Sequence, residues 1–180
     1  MRRLLASFLV LCVSGCAAAS STGSPSARPA TQTIGGDAGT LTIANTITAD
    51  VSHFSYTPDA IFKILPSVFD SVGIPVNVVD PARKQVGNSG YKIRQRLGKA
   101  PLSRYLDCGN TQIGPNADSY DVVLTVTTTV TTEGASGAAL STIVDAQARP
   151  ATYNQGYTHC ASKGGIEIRI ADLVKARLSH

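Results

Sequence analysis

Apolar and polar residues alternate with a period of two in several segments, a pattern typical of strands with one buried face. The clearest segments flank a turn at residues 133–137 and carry these apolar positions: Val122, Leu124, Val126 and Val130 before the turn, and Leu140, Val144, Ala146 and Ala148 after it. Threonine fills most of the intervening positions of the first segment. We therefore predict a long β-hairpin with one apolar face and one hydroxyl-rich face.

Shorter patterns predict further strands. One covers residues 41–51, where the odd-numbered positions are mostly apolar. The others are residues 74–79 and residues 86–97, the latter interrupted by Gly87, Asn88 and Gly90. Glycine and asparagine at such positions favour bulges or turns within a strand.

A helix is predicted to begin after Thr57, because Thr57-Pro58-Asp59 combines an N-cap residue, a proline suited to the first helical position and an acid in the first turn. Gly73 is predicted to end it. Its apolar residues follow helical spacing: Ile61, Leu65, Val68, Phe69 and Val72. Pro66 lies inside this pattern and is expected to kink or split the helix.

A second helix is predicted near the C-terminus, with Ser162 as its N-cap and with Lys175 and Arg177 near its negative end. Its apolar positions are Ile166, Ile170, Leu173, Val174 and Leu178. Residues 101–108 are ambiguous and could hold one helical turn. The order of elements predicts an α+β domain, an antiparallel sheet with two helices packed on one face.

The first 16 residues have the layout of an export signal: Arg2 and Arg3, an apolar run over residues 4–13, and then Ser14-Gly15-Cys16. This run is too short to span a membrane and is typical of a secretory signal peptide. Residues 13–16, VSGC, resemble the lipobox of bacterial lipoproteins. The resemblance implies that residues 1–15 are removed and that Cys16 carries the lipid.

The lipobox resemblance also implies a location. Ala17 stands where an aspartate often retains enteric lipoproteins in the inner membrane, so we expect an outer-membrane lipoprotein facing the periplasm. The alternative is an ordinary secretory signal cleaved within residues 17–19. Residues 16–40 are rich in Ser, Thr, Ala, Gly and Pro and predict a flexible tether, followed by a single domain over residues 41–180.

Composition limits the classes of partner. The formal charge is +4, of which Arg2 and Arg3 supply two, so the chain from residue 16 carries +2. This weak charge and the expected export argue against nucleic acid as a partner. The expected partners are the membrane, through the lipid on Cys16, and an envelope protein or an anionic lipid or glycan. No cofactor or metal motif is evident.

Two cysteines are left for the exported domain, Cys108 and Cys160, and an even pair in an oxidising compartment predicts a disulfide. The alternative is a reactive cysteine with His159 as its base, for which no third orienting group is evident. Asp107 and His159 are the one acid–base pair that this disulfide could bring together. Because no catalytic motif is present, we expect a non-enzymatic protein.

Seven cations and no acids lie among residues 83–104. Within this segment Lys92, Arg94 and Arg96 alternate with other residues, so a strand would place all three on one face. That face could bind a lipid headgroup, a lipopolysaccharide phosphate or an acidic partner. The alternative is a solvated strand face whose cations discourage edge-to-edge pairing.

Two resemblances concern the domain. Its element order and its tethered start resemble the helix-grip domains of BamC-type outer-membrane lipoproteins, which implies a role in protein interaction or envelope assembly. Residues 101–109, PLSRYLDCG, together with residues 114–120, are similar to a segment of uncharacterised bacterial lipoproteins and imply no activity. Three functions therefore stay open: an interaction module, a carrier of a lipid or other small apolar ligand in a cavity between helix and sheet, and a hydrolase.

Overall fold

The computed structural model describes residues 29–36, 39–46, 49–152 and 155–179. These residues form two helices, α1 (Pro58–Val72) and α2 (Gly165–Leu178). Their strands, in chain order, are β1 (Pro29–Gly36), β2 (Gly39–Thr46), β3 (Asp50–Phe54), β4 (Val78–Asp80), β5 (Gln85–Arg94), β6 (Arg96–Leu97), β7 (Ala100–Pro101), β8 (Leu106–Asp107), β9 (Asn110–Thr111), β10 (Gly114–Pro115), β11 (Asp121–Glu133), β12 (Gly137–Arg149) and β13 (Thr158–Ser162).

A seven-stranded antiparallel sheet forms one layer of the domain. Its order is β4-β5-β11-β12-β13-β8, and β3 pairs with the half of β12 that β13 leaves free. The hairpin of β11 and β12 lies at the centre and keeps register from Asp121–Arg149 to Glu133–Gly137. The predicted long hairpin is therefore confirmed.

Both helices pack against one face of this sheet, as the sequence predicts. Most of the even-numbered residues of β11 and all of those of β12 are buried with the apolar sides of the helices in one core. The odd-numbered residues, mostly Thr in β11, form the opposite face, which we call the open face. The fold is thus α+β with two layers.

Helix α1 begins and ends as its sequence predicts. The Thr57 side chain accepts a hydrogen bond from the Ala60 amide, and Gly73 adopts a left-handed conformation with φ of 89° at the C-terminal end. The helix runs without interruption past Pro66, so the predicted split does not occur. Pro66 lies on the exposed side, where the missing backbone donor is tolerated more readily than in the core.

Helix α2 differs from its prediction at its start. Its N-cap is Gly164, which makes no side-chain capping bond, and not Ser162. Ser162 still belongs to β13, and its hydroxyl accepts from the Gly164 amide and donates to the carboxylate of Glu167. The strand extends further than the sequence pattern indicates. Ser162 therefore stabilises the turn before the helix and does not cap the helix.

Three strand predictions change in the structure. Residues 41–51 contribute to two strands, β2 and β3, and residues 74–77 are not in a strand, so that only β4 forms there. Residues 86–97 divide between β5 and β6, because Gln95 has a left-handed φ of 64°. Residues 102–104 form a short 3₁₀ helix, the helical turn that the sequence left open.

Part of the predicted tether forms secondary structure. Strand β1 pairs with β2 from Pro29–Thr46 to Gly36–Gly39, so residues 29–36 form one strand of a hairpin. Threonines at alternate positions of β1 favour this extended pairing. The predicted signal peptide, Cys16 and the predicted tether up to residue 28 lie outside the described residues. Within the described part, neither helix has the length and apolar character needed to cross a membrane.

The predicted disulfide is present between Cys108 and Cys160, with 4.3 Å between their Cα atoms. Strands β8 and β13 pair through Asp107–Ala161 and Leu106–Ser162, so continuing this register places the two cysteines opposite one another. The bridge therefore joins the segment before β9 to the outer part of the sheet. It also excludes the alternative of a free reactive cysteine at position 160.

Candidate functional site

Three neighbouring strands bring charged side chains together at one end of the open face. Asp121 begins β11 and lies opposite Arg94 of β5 on one side and Arg149 of β12 on the other. Lys92 lies one row further along, opposite Val123. Residues directly opposite, and residues two apart on one strand, share a face of a sheet. We call Lys92, Arg94 and Arg149 together the cationic surface.

The cationic surface lines a shallow cavity of about 350 Å³. Arg94 Nε lies 3.7 Å from a carboxylate oxygen of Asp121, and both side chains are about half exposed. One acid among three cations leaves a net charge of +2 on this surface. An exposed pair contributes little to stability, so Arg94 is available to a second anion.

Tyr157 lies at the side of this cavity and contacts Arg149. The guanidinium carbon of Arg149 lies 4.9 Å from the centre of the Tyr157 ring, within the range of a cation–π contact. Such a contact limits the rotamers of the arginine while leaving its N–H groups free to donate. The geometry thus favours binding of a phosphate or carboxylate, which arginine contacts through two parallel hydrogen bonds.

Arg96 does not join Lys92 and Arg94 as the sequence predicts. Strand β5 ends at Arg94, and the left-handed Gln95 turns the chain into the separate ladder of β6 with β7. Arg96 donates from its guanidinium to the Lys99 carbonyl at 3.1 Å. The prediction that strict alternation places all three cations on one face is therefore wrong beyond Arg94.

A second cleft, of about 550 Å³, adjoins the first and shares Arg94 with it. Its walls include Tyr120, the loop at residues 150–152 and the turn between β9 and β10. Ile113 forms the tip of that turn and is 87% exposed, more than the other exposed large apolar residues of the described chain. An apolar tip therefore lies beside the cationic surface.

The hairpin that carries Ile113 is fixed at its base. Asn116 donates from its backbone amide to the Gly109 carbonyl at 2.9 Å and from its side chain to the Cys108 carbonyl at 3.1 Å. Cys108 is itself bonded to Cys160 on β13. The disulfide and Asn116 together hold residues 109–116 as a closed arm next to the sheet.

The acid–base pair suggested by the sequence does not form. His159 Nδ1 lies 3.4 Å from the carboxylate of Asp145, its neighbour on β12. The carboxylate of Asp107 accepts from the Gly109 amide at 3.0 Å, which places it in a turn. Asp107 therefore stabilises a turn by a hydrogen bond to the backbone, as aspartate side chains commonly do.

A third cleft, of about 950 Å³, lies between the end of α1, the start of α2 and the β6–β7 ladder. Apolar residues such as Leu97 and Tyr105 line it together with charges of both signs, including Arg104, Arg169 and Asp172. Its mixed charges indicate no particular class of ligand. Ile168, on its α2 side, is 55% exposed.

The sequence pattern predicts two of the three residues of the cationic surface, Lys92 and Arg94, but not Arg149. Arg149 is the last residue of β12, and only the register of β11 with both of its neighbours brings it to Arg94. The alternation in β12 does place residue 149 on the open face.

Comparisons with protein-family models, with curated proteins and with solved structures find no match to this chain.

Proposed function

We propose that this protein is a lipid-anchored lipoprotein of the bacterial envelope, held in the outer membrane and facing the periplasm, that acts as a non-enzymatic interaction module. Its cationic surface contacts an anionic partner. The observation that carries this proposal is the meeting of Lys92, Arg94 and Arg149 from three strands on an open face of the sheet.

The charge of this surface supports a binding role. Arg94 and Arg149 come from strands on opposite sides of β11, so their separation is set by the sheet and costs little entropy to maintain. A preorganised pair of guanidinium groups binds phosphates or carboxylates more strongly than flexible surface lysines do. The single acid between them, Asp121, weakens this attraction without reversing it.

The packing between helices and sheet favours an interaction module over the alternative of an apolar-ligand carrier. A carrier needs an empty apolar cavity there. That space is filled by side chains from both layers that are fully buried: Ile61, Leu65, Phe69, Leu124, Ile166 and Ile170. The clefts described above open at the ends of the elements and on the open face.

The anchor is the sequence-based part of the proposal. Cys16 lies outside the described residues, and the VSGC motif supports its lipidation. The Cys108–Cys160 disulfide agrees with export, because such bonds form and persist in oxidising compartments. Labelling cells with radioactive palmitate should label the wild-type protein and leave Cys16→Ser unlabelled; equal labelling of the two would contradict the anchor.

The binding role can be tested by photo-cross-linking in cells. A benzophenone amino acid at Val123, which lines the cationic cavity, should give a discrete adduct, either protein or lipid. The adduct should disappear when Lys92→Gln, Arg94→Gln and Arg149→Gln are combined. It should persist in a matched control of the same charge change on the helices, Lys63→Gln, Arg169→Gln and Lys175→Gln. An adduct that survives neutralisation of the cationic surface, or the absence of any adduct, would contradict the proposal.

A further inference from the structure

We infer that the anionic partner of the cationic surface is the membrane itself, and that Ile113 inserts among the lipid headgroups. This inference rests on the proposed function and names the partner of the same site. The docking face consists of the cationic surface, Tyr157 and the β9–β10 arm with Ile113 at its tip. The domain would then lie with this end against the bilayer.

Apolar and cationic groups lie side by side on the docking face. Ile113 is 87% exposed and Tyr157 is 40% exposed, and each lines a cleft that contains Arg94. At an anionic membrane, the isoleucine reaches the apolar layer, the tyrosine suits the interface and the cations meet the headgroups.

The β9–β10 arm is held in place against the sheet. Gly114 has a φ of 122°, which permits the tight two-residue turn at Gln112 and Ile113. Behind the turn, the Asn116 bonds and the Cys108–Cys160 disulfide fix the arm to the sheet. An exposed apolar tip on a fixed arm loses little conformational entropy when it inserts.

The direction in which the chain enters the sheet also agrees with membrane docking. Strand β3 is antiparallel to β12, and its first residue, Asp50, is opposite Thr142 while its last, Phe54, is opposite Ala138. Since β12 ends at Arg149, β3 begins nearer to the cationic end than it finishes. The chain therefore enters β3 at the end of that strand that lies nearer to the docking face.

The strength expected of this surface suits an anchored protein. Each Lys or Arg close to an anionic membrane contributes about fivefold in affinity, and Asp121 offsets part of that gain. Such a surface would bind a protein without a lipid anchor only weakly to the membrane. A lipid anchor keeps the domain near the bilayer and converts docking into an intramolecular event, so a weak surface is sufficient.

The chain contains no tryptophan, so a single introduced indole reports its own surroundings. The lipidated protein carrying Ile113→Trp is reconstituted into vesicles of phosphatidylcholine alone or with phosphatidylglycerol added. Ile168→Trp, which alters another exposed isoleucine but on α2, is the matched control. Flotation with the vesicles measures the anchor, and indole emission with quenching by lipid-borne nitroxides measures docking.

In anionic vesicles, the emission of the Ile113→Trp protein should shift to shorter wavelength and be quenched by nitroxides, whereas that of the Ile168→Trp protein should change little. The emission shift should be smaller in vesicles of phosphatidylcholine alone. This comparison separates the effect of headgroup charge from the intrinsic preference of an indole for membrane interfaces. When Ile113→Trp is combined with the neutralisation of Lys92, Arg94 and Arg149, the indole emission should be the same in the two kinds of vesicle.

The outcomes separate the two proposals. Protein that fails to float with either vesicle contradicts the lipid anchor. The docking face is overturned if the Ile113→Trp protein floats but emits identically in both vesicles, or if it is quenched no more than the Ile168→Trp protein. A protein adduct at Val123 in the cross-linking experiment, together with unchanged emission of the Ile113→Trp protein, would assign the cationic surface to a protein partner and overturn membrane docking.

Discussion

Thr128 and Thr142 lie directly opposite one another on β11 and β12, and their hydroxyl oxygens are 3.0 Å apart within the buried face of the sheet. Both residues are buried among aliphatic side chains. One hydroxyl donates a hydrogen bond to the other, so each oxygen has a polar partner inside the core. This explains how a threonine-rich strand can present polar residues to its core.

The pair predicts a non-additive effect on stability. Replacing Thr128 alone by Val should lower the free energy of unfolding by about 1–3 kcal/mol, because the Thr142 hydroxyl loses its partner. Replacing both by Val should restore most of this loss, since two apolar groups of similar shape then face each other. Urea denaturation of the two single variants and the double variant tests this. Additive losses would show that the hydroxyls do not depend on one another.

Gly87 allows β5 to approach β11 next to a bulge. The register of these strands shifts between Leu124 and Val126, and a Cβ atom built on Gly87 would lie 2.4 Å from the Val126 carbonyl oxygen. Gly87→Ala should therefore destabilise the protein by about 3 kcal/mol or force β5 to move. Gly156→Ala is the control, because a Cβ there meets nothing within 4 Å. Thermal unfolding of both variants gives the comparison, and equal melting temperatures would contradict the close approach.

The parts of the fold that sequence predicts are those set by local signals. Thr57, Pro58 and Gly73 mark helix α1 because capping depends on neighbouring backbone groups, and the alternation in residues 121–149 marks the central hairpin because one face of it is buried. The disulfide follows from the even pair of cysteines left in a domain that the sequence predicts to be exported. None of these needs knowledge of which strand lies beside which.

The candidate site depends on information that local patterns do not carry. Gln95 adopts a left-handed backbone that asparagine or glycine would signal more clearly, and this one residue removes Arg96 from the strand. Arg149 joins Lys92 and Arg94 through two successive registers across β11. A charge cluster assembled from three strands is visible only once those registers are known.

The disulfide should stabilise both the domain and the β9–β10 arm. Its cysteines are 52 residues apart in sequence, for which the chain-entropy relation gives about 4 kcal/mol. Cys108→Ala with Cys160→Ala should lower the free energy of unfolding by up to this amount. Amides of residues 109–116 should also exchange with solvent faster in this variant than in the wild type, and their rates should increase more than those of the central hairpin. Hydrogen exchange under native conditions measures this, and unchanged protection of the arm would mean that Asn116 alone holds it.

Asp121 provides a gain-of-function test of the cationic surface. Its carboxylate is the acid that faces Arg94 on this surface, at 3.7 Å, and it lies opposite Arg149 in the register. Asp121→Asn keeps the shape of the side chain and raises the net charge of the surface from +2 to +3. We expect about fivefold tighter association with anionic vesicles for a Cys16→Ser background, in which no anchor contributes. The gain should decrease with added salt, because these charges are exposed.

Asp145→Asn is the matched control for Asp121→Asn. It makes the same charge change on the open face, but Asp145 lies beside His159 and pairs with Thr125, further along β11 than Asp121. Its effect on vesicle association should be clearly smaller, while both variants should unfold at similar urea concentrations. Vesicle co-sedimentation at two salt concentrations measures the difference. If the two variants gain affinity equally, the overall charge of the domain governs association and the cationic surface has no special role.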